Sequence, residues 1–232
     1  MLDPSELYAF QTDTPPGELR ASVLLVSLGG FVDAGQTQRL LTDHILATRP
    51  HTVVASFDVD QLMDYRGRRP TMMFDRDRWS SYSEPTLLLY RVTDADGQPF
   101  LILSGHEPDY QWERVVTAIR QLIRDLGVTL TLSIHGIPMA VPHTRPIGKT
   151  AHATTPRLMG EHEAVFGPLE VPGSITALLE LRLGESGADA LGFAIHVPHS
   201  PAPTQFPAPA GGAPHGIVAA AAPHTPPGAR CA

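Results

Sequence analysis

The stretch SVLLVSLGGFVDAGQTQRLLTDHILATRP, residues 22–50, contains the transition that decides the fold. Its first part, 22–28, is a short apolar run typical of a buried strand, and two glycines follow it. Leucines and an isoleucine then recur at helical spacing until Pro50 closes the segment. A strand, a glycine turn and a helix in this order predict one βα unit.

The same alternation continues along the chain. An apolar stripe predicts a helix over 109–127, which we expect Asp109 to cap and Gly127 to end, and Ser174 is the expected cap of a further helix. Other apolar runs predict strands at 52–58, 86–92, 99–103, 128–134 and 188–197. Strands that alternate with amphipathic helices predict an α/β fold around a mostly parallel or mixed sheet.

The charge balance and the apolar runs limit the classes of partner. The chain has 24 acidic and 17 basic side chains, a net charge of −7, whereas a nucleic-acid binder would show a basic face. No apolar run has the length of a membrane span, and the N-terminus lacks the pattern of a signal peptide. We therefore expect a cytoplasmic protein whose partners are neither nucleic acids nor membranes.

Motifs for metals and nucleotides are incomplete. The one cysteine, Cys231, allows no cysteine-based zinc site, and no helix carries the paired histidines of a zinc protease. The run ending in Gly148-Lys149-Thr150 resembles a phosphate-binding P-loop, but His143 stands where that motif requires glycine. We predict neither a metal ion nor a cofactor, and we assign no catalytic residue.

The composition changes at residue 200. The last 33 residues contain eight prolines, ten alanines and one charged side chain. Such a segment buries too little apolar surface to offset its ordering entropy. We therefore expect one α/β domain over 1–199 and a disordered tail over 200–232, whose composition indicates a frameshifted or truncated C-terminus.

Two arginine-containing segments are candidates for binding. In DYRGRRP, 64–70, the guanidinium groups of Arg66, Arg68 and Arg69 either clamp an anion or form ion pairs with nearby acids, and ion pairs are the commoner use. In GIPMAVPHTRP, 136–146, three prolines fix the directions of His143 and Arg145. We expect both segments to form an anion site or a protein contact surface.

The turn after the first strand is a third candidate. Gly29 and Gly30 allow a ligand or a partner to approach the backbone, and a helix N-terminus follows. The alternative is a tight turn in which Asp33 caps the helix. We favour that alternative, because the dinucleotide-binding pattern of spaced glycines is absent.

Taken together, these motifs resemble bacterial members of the proteasome assembly chaperone family, in the subunit-two branch. The resemblance covers about 5–199 and rests on six segments in order: GGFVDAG (29–35), DYRGRRP (64–70), SGHEPDYQW (104–112), GIPMAVPHTRP (136–146), VPGSITALLE (171–180) and HVPH (196–199). It implies a three-layer α/β/α sandwich similar to the purine nucleoside phosphorylase/hydrolase-like fold.

The resemblance also implies a function. It predicts a non-enzymatic homo-oligomer, with a trimer as the expected form, whose further partner is a proteasome-like or other protein complex. The alternative is a phosphorylase/hydrolase-like enzyme or small-molecule binder, or an ATP-grasp-type ligase, that acts on an anionic substrate. One departure concerns docking: relatives use a terminal hydrophobic–Tyr–any tripeptide, whereas this chain ends Arg-Cys-Ala at 230–232.

Overall fold

The computed structural model describes residues 2–30, 32–139, 147–160 and 167–198. These ranges contain three α helices: α1 (Thr37–Thr48), α2 (Trp112–Asp125) and α3 (Ile175–Glu185). They contain ten strands: β1 (Tyr8–Phe10), β2 (Val23–Gly29), β3 (His51–Phe57), β4 (Met72–Asp75), β5 (Arg78–Tyr82), β6 (Leu87–Thr93), β7 (Pro99–His106), β8 (Leu130–Met139), β9 (Lys149–Ala153) and β10 (Asp189–Pro198).

Eight of the strands form one mixed sheet. Their order is β1-β3-β6-β7-β2-β8-β10-β9, while β4 and β5 make a separate hairpin. The four central strands β7, β2, β8 and β10 are parallel neighbours, and all pairs outside them are antiparallel. The α/β fold with a mixed sheet, as predicted from sequence, is confirmed.

Helices cover both faces of this sheet. Successive residues of β2 point to opposite faces, so that Leu24 joins the core beneath α2 and α3, whereas Leu25 joins the core beneath α1. From α1, Leu41 enters the second core, and Leu179 of α3 enters the first. The described chain therefore has three layers, with one helix on one face and two on the other.

Local signals set the ends of the helices, with one exception. The Ser174 hydroxyl accepts a hydrogen bond from Ala177 N at 3.1 Å, as the cap prediction requires. Gly127 follows α2 with φ of 69°, the left-handed conformation expected there. The prediction that Asp109 caps α2 was wrong: Gln111 is the N-cap residue, and the Asp109 carboxylate binds residues of the 64–70 segment instead.

Strand β8 is longer than its apolar run indicates. It continues through Pro138 to Met139, in parallel register with β10, although we predicted that it ends at residue 134. Beyond Ser133, β2 no longer pairs with β8, so no ladder of strand hydrogen bonds to β2 continues on this side of β8. Gly136 N points to that side, and by alternation the missing N–H of Pro138 also falls there, where the sheet tolerates it.

Some predictions lie outside the described residues, and some elements were not predicted. His143, Arg145 and the tail 200–232 fall outside the described ranges. Four strands had no counterpart in the sequence prediction: β1, β4, β5 and β9. Within the described ranges, no helix is long and apolar enough to cross a membrane.

Candidate functional site

The parallel strands bring several of the quoted motifs to one edge of the sheet. Because β2, β7 and β8 run in the same direction, their carboxyl ends lie side by side. Gly29 and Gly30 follow β2, Glu107 follows β7, and Gly136 lies in the last part of β8. This carboxyl edge is therefore the candidate functional site.

Glu107 lies at the centre of the edge and is only 9% exposed. Its backbone N–H donates to Gly29 O at 3.1 Å, and its Oε1 accepts from Ile175 N, the first residue of α3, at 2.7 Å. The side chain covers Gly30 so closely that a Cβ atom on that glycine would lie 2.5 Å from Oε2. Gly30 is thus required for the approach of a carboxylate from the same chain.

Asp33 plays a similar part at the start of α1. Both of its carboxylate oxygens lie 3.1 Å from Gln38 N, and Oδ1 also accepts from Gly136 N at 3.2 Å. Burial raises the pKa of Asp33, and the hydrogen bonds from Gln38 N and Gly136 N oppose that rise. Asp33 therefore ties α1 to β8.

The 64–70 segment is anchored to this edge by one of its three arginines. The Arg68 guanidinium donates to Glu107 O and to the Asp109 carboxylate, and Asp64 N donates to Asp109 Oδ2 at 2.6 Å. Arg66 and Arg69 are exposed and make no ion pair with any residue of the described ranges. The structure thus separates the three arginines into one anchor and two surface cations.

The charged side chains at the centre of this edge are carboxylates. Own-chain carboxylates bind amides in the first turn of both helices that start here: Asp33 binds Gln38 N of α1, and Glu107 binds Ile175 N of α3. A helix N-terminus attracts an external anion through amides that have no partner within the chain, whereas these two amides are already bound by carboxylates. Among the described residues, no group of three or more His, Cys, Asp or Glu is placed to hold a metal ion.

An exposed hairpin, which the sequence analysis missed, directly follows the 64–70 segment. All residues of β4 and β5 are exposed, although the hairpin carries Met73, Phe74 and Trp79. The Phe74 and Trp79 rings meet edge to face, with their centroids 5.0 Å apart. The available signal was two runs of strand-forming residues on either side of Asp75–Asp77, but no buried face favoured a strand prediction.

Comparison with known proteins places these features in a family. The PAC2 family model matches residues 27–213, which include the carboxyl edge, the 64–70 segment and the hairpin. No curated protein matches the chain.

Solved structures extend this result. A Mycobacterium tuberculosis protein of unknown function, Rv2714, is 40% identical, with a TM-score of 0.84 over 95% of this chain and 75% of that one. A Corynebacterium glutamicum protein of unknown function is 34% identical, with a TM-score of 0.81 over 88% of this chain and 77% of that one. The M. tuberculosis proteasome-assembly chaperone homologue Rv2125 shares the fold at 20% identity, with a TM-score of 0.70 over 76% of this chain and 75% of that one. Because the family model matches residues 27–213, well over half of its length, this chain belongs to the PAC2 family.

Proposed function

We propose that this protein is a non-enzymatic, homo-oligomeric interaction protein that acts as a chaperone-like scaffold. The observation that carries the proposal is the hairpin of β4 and β5. Its large apolar side chains are about half exposed or more: Met72 48%, Met73 57%, Phe74 55%, Trp79 64% and Tyr82 48%. Large apolar side chains that are exposed together, as Phe74 and Trp79 are, mark protein contact sites, and a two-stranded hairpin is marginally stable unless it packs against something.

Charge favours a second copy of the same chain as the occupant of this surface. Residues 64–82 carry five arginines and three aspartates, a net charge of +2 in a chain whose total is −7. A basic hairpin on an acidic body is complementary to the body of another protomer. Arg66 and Arg69, exposed beside the hairpin, would form the rim of that contact. In a closed trimer, every hairpin packs against the body of a neighbouring protomer.

Size-exclusion chromatography with light scattering tests the oligomer directly. We expect the wild-type chain to elute as a trimer at micromolar concentration, and Phe74→Ser/Trp79→Ser to elute as a folded monomer. Tyr110→Ser is the matched control, because Tyr110 is an aromatic residue of 48% exposure outside the hairpin. A wild-type monomer, or a double variant that keeps the wild-type mass, would overturn the role of the hairpin.

The partner that we propose for the oligomer is a proteasome-like protein complex. The support is the family and the fold shared with Rv2125, which is described as a proteasome-assembly chaperone homologue. The test is to follow assembly of purified bacterial 20S proteasome subunits by native electrophoresis, with and without the chain. Faster formation of complete particles, lost in the Phe74→Ser/Trp79→Ser variant, is the expected result, and an unchanged rate would contradict this partner.

The alternative of an anion-binding enzyme has a weaker basis at this edge. The phosphorylase-like fold implied by the resemblance would place its ligand where Glu107 and Asp33 already occupy the helix amides. An anion there would lie beside two carboxylates, which repel it. A thermal-shift screen with phosphate, nucleosides and nucleotides decides between the two functions, since any ligand that binds the native state raises the melting temperature.

A further inference from the structure

Strand β9 forms one edge of the eight-stranded sheet. It pairs with β10 on one side, and no strand of the described ranges pairs with its other side. Free edges are commonly protected by prolines, by bulges or by several charges. Within Lys149–Ala153, the sequence KTAHA has a single charged residue at its first position and no proline. The strand is thus long and regular enough to accept another strand.

The register shows which backbone groups face outward. His196 N donates to Gly148 O at 2.9 Å, and Thr154 N donates to Ala190 O at 3.0 Å. Hydrogen-bonded residues alternate along an antiparallel pair, so Thr150 and His152 also bond toward β10. The N–H and C=O groups of the intervening residues, Lys149, Ala151 and Ala153, therefore point to the free edge.

A cleft of about 400 Å³ lies beside this edge, between β9 and α3. His152 and Thr154 line it from the sheet, and Glu180, Leu181 and Glu185 line it from the helix. Leu181 is 56% exposed. A strand added to β9 would direct every second side chain toward this cleft, the arrangement by which strand-adding domains select their peptides.

The cleft has a surplus of negative charge. Arg182 is shared between Glu113 and Glu185, because its guanidinium binds both carboxylates. Glu180 Oε1 lies 2.9 Å from His152 Nδ1, a partner that is charged only when protonated. Of the described residues that line the cleft, Glu180 and Glu185 are acidic and His152 is the one that can carry a positive charge, which favours a basic side chain in the cleft.

From this geometry we propose that the outer edge of β9 and the α3 cleft bind an extended basic peptide segment of a partner protein. The segment pairs with the outward groups of Lys149, Ala151 and Ala153 as a ninth strand. Alternate lysine or arginine side chains of the segment lie near Glu180 and Glu185. This surface is separate from the hairpin, so the proposal stands or fails independently of the oligomer.

Fluorescence anisotropy with two labelled octapeptides tests the proposal on the full chain. The probes are TKTKTKTK and TETETETE, which share strand propensity and differ in charge. We expect saturable binding of the lysine peptide, at least about ten-fold tighter than the glutamate peptide and weaker in 0.5 M salt. Absence of saturable binding, or equal affinity for the two peptides, would overturn it.

Variants separate the backbone contact from the charge contact. Ala151→Pro removes an outward N–H without touching a bond to β10, and we expect it to weaken lysine-peptide binding at least about ten-fold. Ala151→Val keeps that N–H and should bind within about two-fold of wild type. If Ala151→Pro, folded by circular dichroism, binds as wild type does, strand addition is wrong.

A conservative pair of substitutions tests the charge contact alone. Glu180→Gln/Glu185→Gln keeps hydrogen-bond acceptors beside His152 and Arg182 and should reduce the preference for lysine over glutamate at least about five-fold. An unchanged preference in this variant would show that the cleft carboxylates do not select the peptide.

Discussion

Glu107 and Ile175 are 68 residues apart in sequence, yet the Glu107 carboxylate accepts the first backbone N–H of α3 at 2.7 Å. The Glu107 backbone N–H donates a hydrogen bond to Gly29 O at the end of β2, and the Glu107 backbone carbonyl accepts one from the Arg68 guanidinium. One residue thus joins β7, β2, α3 and the 64–70 segment. The carboxyl edge is held by interactions within the chain.

Replacing Glu107 should therefore destabilise the fold. Glu107→Ala leaves Ile175 N buried without an acceptor, at a cost of about 1–3 kcal/mol in the free energy of unfolding. Glu107→Gln keeps a carbonyl acceptor and should lose less. Urea unfolding followed by circular dichroism measures both variants. The control is Glu84→Ala on the exposed loop before β6, which should stay within about 0.5 kcal/mol of wild type. Equal effects of Glu107→Ala and Glu84→Ala would contradict the capping role.

Arg68 and Asp109 should be energetically coupled. A double-mutant cycle with Arg68→Ala and Asp109→Ala is expected to give a coupling of about 0.5–1 kcal/mol, because the pair is partly exposed and solvent screens it. Unfolding free energies of the four proteins supply the measurement. Arg66, exposed in the same segment, is the control: Arg66→Ala and Asp109→Ala should be additive. Additivity in the Arg68 cycle would show that the observed pair does not stabilise the edge.

The contact between β8 and the turn that leads into α1 depends on the absence of a side chain at Gly136. A Cβ atom there would lie 2.1 Å from Ala34 O, a backbone atom that cannot move alone. We expect Gly136→Ala to cost about 1–3 kcal/mol or more and to lower the melting temperature in a thermal unfolding scan. Gly17→Ala is the matched control, since nothing lies within 4 Å of its added methyl group. A melting temperature of Gly136→Ala close to that of the control would contradict this packing.

The sequence was informative where one residue decides a local structure. Ser174 and Gly127 were correctly identified as helix ends, because each acts through its own backbone position or nearest turn. Asp109 was misassigned because its partners, Arg68 and Asp64, are more than 40 residues away. No local pattern distinguishes a capping carboxylate from one that binds a distant guanidinium.

Three of the four missed strands, β4, β5 and β9, have no apolar face that alternates with a polar one toward the core. Strand β9 contains lysine, threonine, histidine and two alanines, which give no apolar alternation. Its place in the sheet follows from pairing with β10, a contact made only in the folded chain. The β4 and β5 hairpin was missed for the opposite reason, because its apolar residues point to solvent.

Protonation of His135 should make the free energy of unfolding depend on pH. Burial, together with the neighbouring His152, lowers the pKa of His135 below 6.5, and Glu180 opposes the shift. The His135 and His152 ring centroids are 6.0 Å apart. The unfolded chain therefore binds a proton at this position at a higher pH than the folded chain does. Stability is unaffected well above pH 6.5 and falls as the pH drops from 6.5 toward the lowered folded value, by at most about 1.4 kcal/mol per pH unit.

His135→Asn removes the imidazole that takes up the proton. The unfolding free energy of this variant should therefore decline less between pH 7.5 and 5.5, as measured by urea denaturation at each pH. His44→Asn serves as control, because that side chain is exposed on α1 and the variant should keep the wild-type decline. The linkage argument needs only that the folded site disfavours the imidazolium. A His135→Asn variant whose stability falls as steeply as that of the wild type would place the acid-sensitive group elsewhere in the molecule.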